Sequence, residues 1–310
     1  MRVLFCGSGG FAVPSLRAVL GSKAELVGVV TQPARPAGRG GRLRSTPVNE
    51  FAGEAGVDVA ECPDINAAES LSWLRERAPD VICVVDFGQF VRADARNCAP
   101  LGAFNLHGSV LPALRGAAPV NWAIIQGYDK TGATTFSLVD RMDAGPVYLQ
   151  AETDIRSDDR ADELRQRVAS LGADLVLATL DLLASGEARP AEQDESQATL
   201  APRLTKADGR IDWSEDAEAV RNRIHGTWPW PGGQAVFLRP GGKDAPVTLA
   251  RAVVAEEPGA GPGVVDGDGL VGTGNARIEI IELKPAGKRL MNWRDFTNGY
   301  RVKEGDRFAC

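Results

Sequence analysis

The chain has 310 residues, 44% of them hydrophobic, enough to bury the cores of two domains. Its net charge of −6 and isoelectric point near 5.2 exclude a globally basic nucleic-acid surface, so any RNA contact must rest on local patches. Five cysteines without a C-x-x-C pair offer neither a disulfide framework nor a zinc site, and no metal is expected.

Arg2–Cys6 is a short apolar run that predicts a strand, and no signal peptide is expected before it. Cys6, and later Cys83, lie inside such runs and read as buried thiols. Gly7-Ser8-Gly9-Gly10-Phe11-Ala12 follows and fits G-x-G-x-x-A, the dinucleotide-binding pattern. That pattern also demands an acid at the end of the second strand. Glu25–Val30 predicts that strand, and it ends Thr31-Gln32-Pro33 with no acid, so the glycines read as a tight strand–helix turn. Val13–Leu20 is the helix between. Pro33–Thr46 carries Arg35, Arg39, Arg42 and Arg44 and no acid, while its prolines and glycines argue against regular structure. It is either a solvated loop or a phosphate-contacting one.

Helical patterns at Val48–Ala55, Ala68–Arg77 and Pro119–Gln126 alternate with strand-like runs at Val81–Val85, Phe104–His107 and Thr134–Val139. Alternation of this kind implies right-handed crossovers and a mostly parallel, Rossmann-like sheet with flanking helices. Ser157–Ser185 reads as a long helix with Gly172 as a weak interruption. Residues 187–207 are polar and read as a linker. After a helical patch at Asp216–Ile224, short β-like runs at Gln234–Leu238, Val247–Val254, Gly263–Val265, Leu270–Thr273 and Arg277–Leu283 point to a small barrel. The expected organisation is a catalytic domain over 1–186, the linker, and a barrel domain over 208–310. No apolar run approaches the ~18 residues that span a bilayer, and a cytoplasmic protein without a membrane role is expected.

Chemistry concentrates in Asn105-Leu106-His107-Gly108-Ser109-Val110-Leu111-Pro112, in Leu114-Arg115-Gly116-Ala117-Ala118-Pro119, and in Asp143-Ala144-Gly145. In an extended segment Asn105 and His107 share a face, pairing a neutral donor with a proton carrier. Asp143 belongs at the same sheet edge, although Asp before Ala-Gly also fits plain turn chemistry. An Asn, a His and a distant carboxylate suit acyl or formyl transfer. His225, the second histidine, has no acidic or Cys neighbour and reads as structural.

These strings resemble the 10-formyltetrahydrofolate-dependent formyltransferases. So do Phe11-Ala12-Val13-Pro14-Ser15-Leu16, the arginine loop, Gln193-Asp194-Glu195, Ile211-Asp212-Trp213, Pro229-Trp230-Pro231 and Pro285-Ala286-Gly287-Lys288. The resemblance covers nearly the whole chain. It implies an α/β domain with a C-terminal barrel of the oligonucleotide-binding type, 10-formyltetrahydrofolate as formyl donor, and catalysis by Asn105, His107 and Asp143. It further implies a folate site lined by Ser109, Val110, Leu111 and Pro112 and by the loop Asp86, Phe87, Gly88 and Gln89. Arg35, Arg39, Arg42 and Arg44, with Lys288 and Arg289, point to members whose acceptor is the α-amine of methionyl initiator tRNA, with no obligate protein partner. Relatives acting on nucleotide-linked amino sugars share the trio and are the alternative. Two departures stand out. Ser8-Gly9-Gly10 replaces the family's Pro and acid and is expected to loosen that turn, and Asp86-Phe87 replaces Ala-Tyr.

Overall fold

The computed structural model describes residues 1–37, 41–239 and 243–310. In chain order its first half runs β1 (Arg2–Gly7), α1 (Val13–Leu20), β2 (Glu25–Thr31), β3 (Arg35–Ala37), β4 (Arg42–Arg44), α2 (Pro47–Glu54), β5 (Val59–Glu61) and α3 (Ala68–Glu76). There follow β6 (Val81–Val85), α4 (Ala93–Arg96), β7 (Ala103–His107), α5 (Pro119–Ile125), β8 (Lys130–Ser137), β9 (Val147–Asp154) and α6 (Ala161–Ser185). Seven strands form one sheet in the order β5-β2-β1-β6-β7-β8-β9. The pairs from β5 to β7 are parallel, and β8 runs antiparallel to β7. All of β6 is buried, as a parallel strand covered on both faces must be. Leu4, Val30, Ile65, Leu74, Ile82 and Val84 pack on one such face.

Two compact units emerge. The first comprises Met1–Gly116, Thr131–Thr153 and Arg165–Leu200; the second comprises Ala117–Lys130, Asp154–Leu164 and Ala201–Cys310. By length and composition α6 is apolar enough to cross a bilayer, against the expectation that no such run occurs. Within the first unit its Val168, Ala169, Ala173, Val176 and Leu180 are buried while Asp174 and Asp181 are exposed, so it is an amphipathic core helix. Gly172 is where Leu106 of β7 seats: a Cβ there would lie 2.6 Å from Leu106 Cδ2.

The arginine segment is more regular than its composition predicts. β3 and β4 form an antiparallel pair with Arg35 opposite Arg44 and Ala37 opposite Arg42. A ladder needs only backbone groups, and a two-stranded pair leaves every strand an edge, where Pro36 is tolerated. At its base Thr31 Oγ1 and Thr46 Oγ1 lie 2.6 Å apart, and Thr46 caps α2 by accepting from Asn49 N.

The second unit adds α7 (Ala217–Thr227), β10 (Gly233–Leu238), β11 (Ala245–Ala255), β12 (Val271–Gly272), β13 (Arg277–Pro285), β14 (Met291–Asn292), α8 (Trp293–Tyr300) and β15 (Arg307–Ala309). Its sheet has the order β12-β13-β11-β10-β15, with β14 on β13. Bridges from Val265 to Val271 and from Val264 to Arg307 join the two outer strands, closing a small barrel. Phe237, Phe296 and Phe308 fill it. In this unit α5 packs on α7, where Asn121 Nδ2 donates to Gly226 O (2.8 Å). His225 is buried on α7, and its Nε2 accepts from Ala252 N (3.0 Å). Burial, with Arg221 and Arg251 nearby, lowers its pKa to about 4, so it is neutral and structural.

Candidate active site

Parallel β6 and β7 end at the same sheet edge, the place where open α/β sheets gather their chemistry. On β7, Leu106 points toward α6, so Asn105 and His107 project from the opposite face. Phe136, opposite Asn105 on β8, meets the His107 ring edge-on at 6.5 Å. Asn105 is half-buried, and its amide makes no hydrogen bond among the described residues. It is a donor held ready on a rigid strand.

His107 is buried and fixed through one ring nitrogen. Its Nε2 lies 2.9 Å from Leu114 O. A carbonyl only accepts, so Nε2 carries the proton and Nδ1 is left as the ring's acceptor. Nδ1 faces Asp143 Oδ2 at 3.9 Å, longer than a hydrogen bond. The same Oδ2 accepts from Gly116 N (2.8 Å). Leu114 holds its carbonyl in place with φ of 61° while its N–H donates to Thr199 Oγ1 (2.8 Å). The structure thus brings His107 and Asp143 together across 36 residues of sequence, with Asn105 beside them.

Beyond β7 the chain is bonded tightly. Ser109 is buried and donates its hydroxyl to Ala113 O (2.6 Å), and Leu111 N donates to Thr134 Oγ1 (3.0 Å). Leu111 O accepts from Gln150 Nε2 (2.6 Å), and the Leu111–Pro112 bond is cis. Leu111 is buried, while Val110 and Pro112 are half-buried.

The loop after β6 is clasped by the first turn. Asp86 O accepts from both Ser8 N and Gly9 N (3.1 Å each), and Phe87 O accepts from Ser8 Oγ (3.2 Å) and Gln32 Nε2 (2.7 Å). Far from loosening the turn, Ser8-Gly9-Gly10 is bonded to its neighbour, because glycine allows a close approach that a side chain would block. A Cβ on Gly9 would lie 1.9 Å from Asp86 Oδ2. That carboxylate pairs with Arg165 Nη2 at 2.6 Å. The two departures from the family pattern are therefore one feature: the glycine makes room for the carboxylate. Gln89 is committed internally, accepting from Ile65 N (2.8 Å) and donating to Cys62 O (2.7 Å). Gly88, with φ of 74°, is exposed, and Phe87 is buried. Among the described residues no group of His, Cys, Asp and Glu is arranged to hold a metal ion.

Residues 1–180 match the family described as Formyl transferase, and residues 203–301 match Formyl transferase, C-terminal domain. The methionyl-tRNA formyltransferase of Solibacter usitatus is 38% identical over 100% of this chain and 99% of its own. That of Salinispora tropica is 40% identical over 100% of both chains. This chain belongs to the methionyl-tRNA formyltransferase family. Among solved structures, HypX from Aquifex aeolicus superposes with a TM-score of 0.67 at 18% identity. That match covers 98% of this chain and 48% of HypX, so the formyl transferase spans about half of that protein. The N-formyltransferase from Helicobacter canadensis, solved with folinic acid and dTDP-3-aminofucose, gives 0.66 at 14% identity over 93% of this chain and 100% of its own. At such identities the likeness is one of fold.

Of the basic residues in the formyl transferase, Arg35, Arg42 and Arg44 are exposed on the β3–β4 pair. Arg39 lies outside the described residues. Lys288 and Arg289 are exposed in the turn between β13 and β14. Sequence reasoning missed the Leu114 carbonyl, Thr199 and Gln193, which shape the His107 and Asp143 environment. The left-handed φ at Leu114 had no glycine to mark it, and Gln193 had only its place in a family-like string.

Proposed function

We infer that this enzyme moves the formyl group of 10-formyltetrahydrofolate to the free α-amine of methionyl initiator tRNA, yielding N-formylmethionyl-tRNA for translation initiation. Identity of 38–40% over the whole chain to methionyl-tRNA formyltransferases carries this reading, and the Asn105, His107 and Asp143 arrangement fits it. Residues 1–186 would carry the chemistry and 208–310 the barrel, joined by 187–207, in the cytoplasm.

The amine nitrogen attacks the formyl carbon, and the carbonyl oxygen takes the electron pair as an oxyanion. Asn105 Nδ2 would donate to that oxygen, an interaction worth about 3 kcal/mol in comparable sites. His107 Nδ1, left as acceptor by the bond from Nε2 to Leu114 O, would take the proton the amine sheds. Asp143 would steady the charge that proton brings, at a distance the ring closes by a small tilt or through one water. Collapse of the tetrahedral intermediate breaks the bond to folate N10, which would leave with the proton that His107 took from the amine. The segment Ser109–Pro112 and the Asp86–Gln89 loop would line the folate site. Because Gln89's amide is already paired, that loop's share would fall to its backbone and to Asp86. Arg35, Arg39, Arg42 and Arg44, with Lys288 and Arg289, would meet tRNA phosphates.

The deciding experiment incubates the protein with 10-formyltetrahydrofolate and either methionyl initiator tRNA, a nucleotide-linked amino sugar, or water alone. Formyl label on the tRNA is expected. Label on the sugar, or free formate in water alone at an equal rate, would overturn the assignment.

A further inference from the structure

We propose that Gln193 is a positioning residue for formyl transfer, holding the Asp143 turn in place through two backbone carbonyls. The proposal rests on reading Asp143 as the carboxylate that serves His107.

Asp143 has φ of 52°, a left-handed conformation that Asp tolerates better than most non-glycine residues and that the bonds around this turn support. Gly145 is pressed against β8, where a Cβ would lie 1.8 Å from Ser137 O. Gln193 Nε2 spans this turn, donating to Asp143 O (2.9 Å) and Gly145 O (2.7 Å). Its Oε1 accepts from Arg115 Nε (3.1 Å) and Nη2 (2.7 Å), so every polar position of the amide is engaged. Arg115, only 7% exposed, is fixed in turn by Glu195 through Nη1–Oε2 (3.1 Å) and Nη2–Oε1 (2.9 Å). Arg141 Nη2 adds a further bond to Glu195 Oε2 (2.7 Å). Bonds from Arg115 and Arg141 hold the Glu195 carboxyl down to about 2, so the anchor is ionised throughout any working pH.

Arg115 directly precedes Gly116, whose N–H grips the Asp143 carboxylate. Asp143 is therefore held at its backbone by Gln193 and at its side chain by Gly116, and the guanidinium links the two. An amide fits the central place because one group must donate on one side and accept on the other. A carboxylate there would face two carbonyl oxygens without a proton to offer.

The test compares Gln193→Met, similar in length but without hydrogen-bonding groups, with Asp143→Asn and with the double variant, in steady-state methionyl-tRNA formylation. Gln193→Met should lower kcat about tenfold or more, with both KM values within about twofold, since displacement of a reacting group strikes the chemical step. Its pH–rate profile should change in the same sense as that of Asp143→Asn. The double variant should be no slower than Asp143→Asn alone, because a residue acting only through Asp143 has nothing left to position. Parent-like kcat in Gln193→Met, or losses that multiply in the double variant, would overturn the proposal. Parent-like activity in Asp143→Asn would instead refute the role of Asp143 itself. If Gln193→Met does not fold, Arg115→Lys replaces it. Lysine keeps the charge but cannot bridge Gln193 and Glu195 with the same fork, and the same non-additivity is expected.

Discussion

If Asn105 is the oxyanion donor inferred above, removing its side chain should separate chemistry from stability. The amide makes no hydrogen bond among the described residues, so Asn105→Ala orphans no buried partner. Its backbone remains paired between Val84 and Phe136 in the ladder. The expected cost in folding stability is within about 1 kcal/mol. Loss of a single oxyanion donor costs about 2.7–4 kcal/mol in the transition state, a fall in kcat of about 100- to 1,000-fold. The KM for 10-formyltetrahydrofolate should barely move, because the donor acts on charge that the ground state lacks. Asn105→Asp sharpens the contrast, setting a like charge where the oxyanion forms, and should be slower than the alanine variant. Steady-state formylation at saturating donor, beside thermal unfolding of each variant, supplies the measurement. The assignment of Asn105 fails if the alanine variant keeps kcat within about threefold, or if its loss of activity tracks a loss of folded protein.

The exposed Arg42 should act on acceptor binding alone: Arg42→Ala should raise KM for tRNA, spare folate affinity, and flatten the log–log salt slope by about one unit or less. An unchanged slope would show that Arg42 touches no phosphate. Because the folded pKa of His225 lies near 4 and its ordinary value near 6.5, the unfolded chain binds its proton first as pH falls. The stability present above pH ~6.5 should thus decline toward pH ~4, by about 3 kcal/mol for this group. Denaturation of His225→Gln across that range should lose about one proton of linkage, and an identical profile would refute the cause. Gly9→Ala should push the Asp86 carboxylate off Arg165 and destabilise by about 1–2 kcal/mol, a loss that Asp86→Gly in the same chain should largely reverse. Thermal midpoints of the single and double variants decide it.

The central sheet was readable because β1, β2 and β6 are unbroken apolar runs between turn residues, as parallel strands buried on both faces must be. The same logic failed at the edges. β9 alternates half-buried and exposed residues and carries Gln150, Glu152 and Asp154, so no apolar run announces it. β3 and β4 pair through backbone alone, under a composition that argues for irregular chain. In α8 the periodicity was present, Trp293, Phe296 and Tyr300 stacking on one face, but a segment of 8 residues among polar neighbours gave no run to notice. At the site, strand alternation correctly put Asn105 and His107 on one face. What period-two reasoning cannot supply is the left-handed backbone at Leu114 and Asp143, since neither is glycine and the bonds that meet both residues come from residues distant in sequence.

Leu106 stands between Asn105 and His107 in β7 and rests on Gly172 from the opposite side of the sheet. The absent side chain at position 172 thus sets how closely the helix approaches the sheet beneath β7. A Cβ placed there would meet the Leu106 side chain at 2.6 Å, so that side chain must turn aside or its strand must rise. Helix α6 consequently works as a spacer under β7, its closeness set where residue 172 meets Leu106.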